Sequence, residues 1–294
     1  MTNAIPFPDL SPVLVEIPLG FTTLPIRWYA LAYIVGIWLG YVLARRTVAR
    51  ARLWKDETPP LTPELLEAFL TWIILGVIIG GRVGYVLGYS EGQFWEDPLS
   101  IFRVWEGGMA FHGGFLGVVI AGLAFARKHK LPLLPLGDML ALGTPPGLLL
   151  GRIANFINAE LWGRPTDVPW GVIFPGSAAQ DCPGVIGLCA RHPSQLYEAG
   201  LEGLLLGILI IWLVYRRDWL KRPGLIAGLF IAGYGISRFI VEFFRQADAQ
   251  FMSPDNPMGY VMQFGEFGIT RGQQLSLPMI VVGLLLLILA MRRR

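Results

Sequence analysis

The sequence predicts an all-α polytopic membrane protein, a seven-helix transmembrane bundle with a small cap on its outer end. Three observations lead there. The 294 residues are 54% hydrophobic and only 15% charged, with a mean hydropathy of +0.54, whereas a soluble domain carries roughly 25% charged residues. Seven stretches approach the ~20 apolar residues that a spanning helix needs. Lys and Arg gather in alternate connections between those stretches. No internal or inverted repeat is visible, so one integral membrane domain over 1–294 is expected.

The seven stretches lie at about 27–45, 66–89, 110–127, 133–157, 197–215, 224–244 and 276–291. They should be helices, because unpaired backbone is not tolerated against lipid. Residues 1–26 hold five prolines and no Lys or Arg. They lack the basic start of a signal peptide and should lie near the membrane surface on the outer side. The connections 45–55, 127–130 and 216–222 and the tail 292–294 hold 15 of the 24 basic residues. That side is therefore expected to be cytoplasmic, with the N-terminus outside and the C-terminus inside.

Every Lys falls on that basic side. The other nine basic residues are all Arg, at 27, 82, 103, 152, 164, 191, 238, 245 and 271. Arg keeps its charge when partly dehydrated and grips phosphate or carboxylate with a planar fork. An Arg-only population at the outer face and within the spans points to anion binding. The modest net charge of +3, spread along the chain, gives no nucleic-acid surface.

Glycines recur every four residues: Gly76, Gly80, Gly84 and Gly88 in the second stretch, and Gly143, Gly147 and Gly151 in the fourth. Small residues at this spacing line one helix face and let helix backbones approach. The insertion at about 158–196 is rich in Gly, Pro and Trp and is expected to cap the bundle on the outer side. It contains Cys182 and Cys189; an oxidising outer compartment permits a disulfide there. Two cysteines without nearby histidines, and no paired aspartate motif, argue against a metal site.

The polar residues inside the spans carry the functional signal. Intramembrane ionisable groups face a bundle interior or a cavity. In "GYGISRFIVEFFRQ", Tyr234, Arg238, Glu242 and Arg245 fall on one stripe about 80° wide, and Arg238 can pair with Glu242. The fourth stretch ends with Arg152 and Asn155, and Asn158 and Glu160 follow at its mouth. Arg82 and Tyr85 lie near the outer end of the second stretch. Tyr29 opens the first, beside Trp28, an interfacial anchor. His112, in "FHGGFLG", begins the third, where Gly113 and Gly114 are expected to leave room for a ligand beside the imidazole. All these groups share one depth, in the outer half of the bilayer. A pocket there with more arginine than acid suits an anionic phospholipid headgroup.

The blocks "IRWYALAYIVG", "GGRVGYVLGY", "FHGGFLG", "GRIANFINAELWGRPTDVPWGVIFP", "RHPSQLYEA" and "YGISRFIVEFFRQAD" resemble the prolipoprotein diacylglyceryl transferases, over nearly the whole chain. The block at 151–175 resembles the family signature. The resemblance implies a multi-pass protein of the bacterial inner membrane with its active site in the periplasmic half. It implies transfer of the diacylglyceryl group of phosphatidylglycerol to the lipobox cysteine of a preprolipoprotein signal peptide. A thioether forms, glycerol 1-phosphate leaves, and no cofactor takes part. It also implies that Arg152 holds the headgroup and that Arg238 is a second essential arginine. His112, Tyr29, Asn155, Glu160, Gly163, Tyr234 and Glu242 match further functional positions.

The chemistry of the residues fits that reaction. A thiol of pKa about 8.5 needs deprotonation before it attacks, and His112 is the candidate base. Two arginines can stabilise the charge growing on a departing phosphate. Two rival readings use the same residues. A transporter or flippase for an anionic lipid would need a polar path to the inner side, where only Asp138 interrupts apolar sequence. A metal-dependent phospholipid phosphotransferase would need aspartate clusters.

Overall fold

A computed structural model describes residues 4–18, 20, 23–89, 97–103, 107–182, 184–265 and 267–292. Two of the tail arginines, Arg293 and Arg294, lie outside the described residues. Among those described, five helices have the length and apolar composition to cross a membrane: Trp28–Val48, Pro63–Gly88, Leu133–Ile157, Ser194–Arg217 and Arg271–Arg292. Leu225–Val241 is a shorter apolar helix. The chain is a polytopic membrane protein. The stretch expected at 110–127 forms the 19-residue helix Phe111–His129, which is not among the five.

The chain divides into two compact units, 1–43 with 138–294, and 44–137. In the first, short strand β1 (Ile5–Pro6) precedes an antiparallel hairpin of β2 (Val13–Pro18) and β3 (Thr23–Arg27). The hairpin runs without a linker into helix α1 (Trp28–Val48). In the second unit, α2 (Pro63–Tyr89) packs on α3 (Phe111–His129). The glycine ladder is the contact. A Cβ on Gly80 would sit 2.8 Å from the Cα of Gly117, and one on Gly84 would sit 2.6 Å from the Cα of Gly113. Both are closer than real side chains come.

The span 133–157 is broken at Thr144. α4 (Leu133–Gly143) ends where Pro145 and Pro146 open α5 (Pro145–Ile157). Proline lacks the N–H an interior turn requires but suits a first turn. Gly36 and Gly40 of α1 face this junction, a Cβ on Gly36 falling 2.7 Å from the Cα of Gly147. Asp138 of α4 is fully buried. It accepts the N–H of Gly224 at 2.7 Å and of Ala227 at 2.8 Å, capping the helix that starts at Leu225. Its charge is spent on a helix N-terminus.

The insertion expected to cap the bundle, called the cap below, follows α5, with β4 (Val172–Ile173) parallel to β1 and the four-residue α6 (Ser177–Gln180). Phe174 is fully buried, with Phe7 and Phe156 packed around it. Cys182 and Cys189 are disulfide-bonded. The next span begins as α7 (Ser194–Glu198), widens into a π-helix over Ala199–Leu205, and continues as α8 (Leu206–Arg217). Helix α9 (Leu225–Val241) stops three residues short of the expected 244, because the chain beyond it pairs with the cap. The N–H of Arg164 donates to the Phe244 carbonyl at 2.8 Å, and Gly163 bridges Arg245.

A second hairpin, β5 (Tyr260–Phe264) and β6 (Phe267–Thr270), leads into α10 (Arg271–Arg292). That helix starts five residues before the expected 276. Thr270 and Gln273 exchange side chain and backbone bonds at 3.3 and 3.1 Å, a capping box. Gly228, Gly235 and Gly283 bring α9 and α10 together.

Candidate active site

Arg152 reaches from the last turns of α5 towards the π-helical widening. Its Nη1 lies 3.1 Å from a carboxylate oxygen of Glu198, and its Nη2 lies 3.6 Å from Glu202. Arg238, from α9, approaches the same Glu198 from the other side. Its Nη1 donates to Glu198 at 2.5 Å and its Nη2 lies 2.8 Å from Glu242, one turn on. Glu198 therefore joins two guanidinium groups from separate helices. Glu198 and Glu202 are fully buried and Glu242 nearly so. The side chains of Arg152 and Arg238 keep 19% and 14% of their surface. The accessible atoms are cationic, and the acids stand behind them.

Local sequence builds this arrangement. Glu198 precedes the π-helix and Glu202 lies within it; single-turn π-helices occur often at functional sites. Gly203 lets the segment touch α5, since a Cβ there would fall 2.6 Å from the Cα of Leu149. Gly272 backs Glu242, whose carboxylate fills the space a side chain would need. Tyr234 lies one turn before Arg238, its hydroxyl in reach of Arg152. Ile240 and Phe243 are exposed on the opposite side, as expected for a lipid-facing surface. Arg245 is drawn in beyond the helix end, 3.8 Å from Asp248. Burial holds its guanidinium below the ordinary arginine range, and the like charge of Arg238 adds to that.

A second constellation lies at the mouth of α5. Asn155 donates to Glu160 at 2.7 Å and Asn158 donates to the same oxygen at 3.3 Å. Tyr29 is 3.2 Å from the Tyr33 hydroxyl and also meets Asn155. Gly163 contributes backbone alone, its N–H donating to the His192 carbonyl at 2.8 Å while its carbonyl accepts from Arg191 at 3.2 Å. The structure thus brings together Arg152, Arg238, Tyr234 and Glu242, and groups Tyr29 with Asn155 and Glu160. His112 belongs to the other compact unit, exposed at the start of α3.

Three expectations are corrected. The pocket does not hold more arginine than acid: Arg152 and Arg238 pair with Glu198, Glu202 and Glu242, because charges buried in low dielectric require partners. The glycines after His112 do not both leave space, since Gly113 is filled by the approach of Gly84. Nor is the Arg-only population uniformly an anion site. Arg82, nearly buried, gives its donors to the carbonyls of Ser100, Ile101, Gly107 and Gly108. Arg191 gives its donors to Ala179, Asp181, Gly163 and Gln246 and stacks on Trp162, 4.1 Å from its ring centre. These arginines staple loops.

Sequence reasoning missed the two glutamates that organise the centre. Their i, i+4 spacing in "YEAGLEG" at the head of an apolar run was the available signal. Among the described residues no cluster of three His, Cys, Asp or Glu side chains could hold a metal ion.

Known proteins match this chain along its length. The family model for prolipoprotein diacylglyceryl transferase matches residues 12–289. A phosphatidylglycerol–prolipoprotein diacylglyceryl transferase of Ruegeria pomeroyi is 61% identical over 284 residues, covering 97% of this chain and 96% of its own. One from Roseobacter denitrificans is 59% identical, with 98% of each chain covered. One from Rhizobium meliloti is 47% identical over 95% of this chain and 92% of its own. By both measures, the chain belongs to the prolipoprotein diacylglyceryl transferase family.

Proposed function

We propose that this chain transfers the diacylglyceryl group of phosphatidylglycerol to the lipobox cysteine of a preprolipoprotein signal peptide. The thiolate attacks the glycerol CH2 carbon that carries the phosphate. A C–S bond forms, the C–O bond breaks, and its electron pair leaves on the phosphate oxygen as glycerol 1-phosphate. The thiol proton goes to a base, for which His112 remains the candidate by its chemistry. The lipid carries its own leaving group, so no cofactor is required.

The observation that supports this reading is the pair of accessible guanidiniums in front of buried glutamates. Arg152 and Arg238 meet the phosphate, each with N–H donors to spare, and stabilise the charge that develops on it; a single donor of this kind is worth about 3–4 kcal/mol in other enzymes. Glu198 sets the distance between the two forks, and Glu242 orients Arg238. Tyr234 bonds a headgroup oxygen. Asn155, Glu160, Tyr29 and Gly163 form the mouth through which the headgroup is held. The seven stretches all span, with the N-terminus and the cap outside, as the Lys and Arg distribution favours.

Purified protein incubated with phosphatidylglycerol and a lipobox peptide, without added metal, tests the proposal. Thioether-linked peptide is expected from the wild type and none from Arg152→Ala. Movement of phosphatidylglycerol between leaflets without thioether would overturn it in favour of a lipid transporter.

A further inference from the structure

The loop closed by Cys182 and Cys189 is not used by the chemistry above. Its stretch "CPGVIGLC" carries no charged side chain. Val185, Ile186 and Leu188 are exposed, Ile186 completely (102%). Gly184 and Gly187 take positive φ of 81° and 92°, and no atom lies within 4 Å of where a Cβ would stand on either. All five residues from Gly184 to Leu188 are exposed.

Its root is rigid. Both cysteines are buried and bonded to each other. Gln180 accepts the N–H of Cys189 at 2.9 Å and donates to its carbonyl at 3.2 Å. Arg191 donates to the carbonyls of Ala179 and Asp181 at 2.5 and 2.8 Å. A flexible loop would fold such aliphatic side chains down; this one holds them out.

The same root adjoins the start of a helix long and apolar enough to cross a membrane. Exposed Trp170 donates its indole N–H to the Tyr197 hydroxyl at 2.8 Å, and Tyr197 is in the first turn of Ser194–Arg217. Trp and Tyr mark the headgroup layer. Next to Trp170, Gly171 faces Ala190, a Cβ there standing 3.3 Å from the Ala190 Cβ, and Ala190 adjoins Cys189.

We propose that the disulfide-closed loop is a membrane-surface prong, whose backbone stays in the headgroup layer while the side chains of Val185, Ile186 and Leu188 reach the acyl boundary beside the span. A lipid phase makes no demand for a matching groove. Fixing the side chains in advance lowers the ordering penalty of insertion.

The test places the photoreactive residue p-benzoylphenylalanine at Ile186 in the full chain, reconstituted in phosphatidylcholine–phosphatidylglycerol liposomes with lipobox peptide present. Irradiation is expected to yield protein–phospholipid adducts by mass. Changing both cysteines to serine is expected to reduce that yield severalfold, because the tip loses its fixed direction. Adducts with the peptide, or an absence of lipid adducts, would overturn the proposal. So would an adduct yield unchanged by loss of the disulfide.

Discussion

Glu198 holds Arg238 by a 2.5 Å bond while its other oxygen lies 3.1 Å from Arg152. One buried carboxylate thereby fixes the separation of two cations on different helices. Glu198→Gln keeps the shape and removes the charge that both arginines require. Breaking a buried pair at one partner destabilises by about 3–5 kcal/mol, and misplacing a transition-state donor costs on the order of 100-fold or more in turnover. Glu198→Gln should therefore lower thioether formation at least ~100-fold. Activity near wild type in that variant would show that the two forks are positioned by something else.

Arg152 addresses Glu198 and Glu202 through different nitrogens. Lysine keeps the positive charge but presents one compact ammonium in place of a planar fork. Arg152→Lys should consequently be nearly as damaging as Arg152→Ala, with a loss within about tenfold of it. Steady-state kinetics over a range of phosphatidylglycerol contents measures this. Full rescue by lysine would reduce the role of Arg152 to charge alone.

The contact between the π-helical segment and α5 makes a third prediction. A Cβ on Gly203 would lie 2.6 Å from both the Cα and Cβ of Leu149, three residues before Arg152. Leu149 is held by its own backbone and cannot swing aside. Gly203→Ala should push α5 away, destabilising the fold by about 1–3 kcal/mol and separating Arg152 from Glu202. Thermal unfolding in detergent and turnover should fall together. The open site at Gly200, with no atom within 4 Å, serves as the control: Gly200→Ala should be tolerated.

Five of the seven membrane stretches and the shorter Leu225–Val241 helix were legible because apolar length is a one-dimensional property, and Arg152, Arg238 and Glu242 drew notice because charge interrupts it. The break at Thr144 follows from Pro145 and Pro146. The start of α10 follows from the Thr-x-x-Gln box at 270–273, a signal present but unread. Other features leave no local mark. Arg82 and Arg191 read as anion sites because their true partners are backbone carbonyls, which every residue has. Glu198 and Glu202 show in sequence only as an i, i+4 pair at the head of an apolar run, because the π-helical widening that turns them inward has no simple sequence pattern. Spacing alone left the Cys182–Cys189 bridge open.

His192 packs against Tyr197 and Phe244, with Nδ1 3.1 Å from the Tyr197 hydroxyl. Burial holds its imidazole below the ordinary value of 6.5. The unfolded chain then takes up the proton first as pH falls. The cap is at full stability above about pH 6.5 and loses stability as pH drops below it. Hydrogen exchange of cap amides at pH 7.5 and 5.5, corrected for intrinsic rates, should show weaker protection at the lower pH. His192→Gln should flatten the difference, and an undiminished pH effect in that variant would assign it to another group.

Arg191 gives the sharpest test of the stapling arginines. Its Nε and both Nη nitrogens reach Ala179, Asp181, Gly163 and Gln246, and it is 2% exposed. Lysine has a single nitrogen at its tip and cannot span those acceptors. Arg191→Lys leaves at least two buried carbonyls unpaired, each at about 1–3 kcal/mol. The loss falls on the cap, so proteolytic nicking between 175 and 192 should rise steeply. The arginine–glutamate centre is built from the spans and should still bind lipid. If Arg191→Lys leaves cap proteolysis unchanged, the guanidinium is not what holds the cap. If lipid binding is lost while the cap stays intact, Arg191 acts on the substrate and the stapling assignment is wrong.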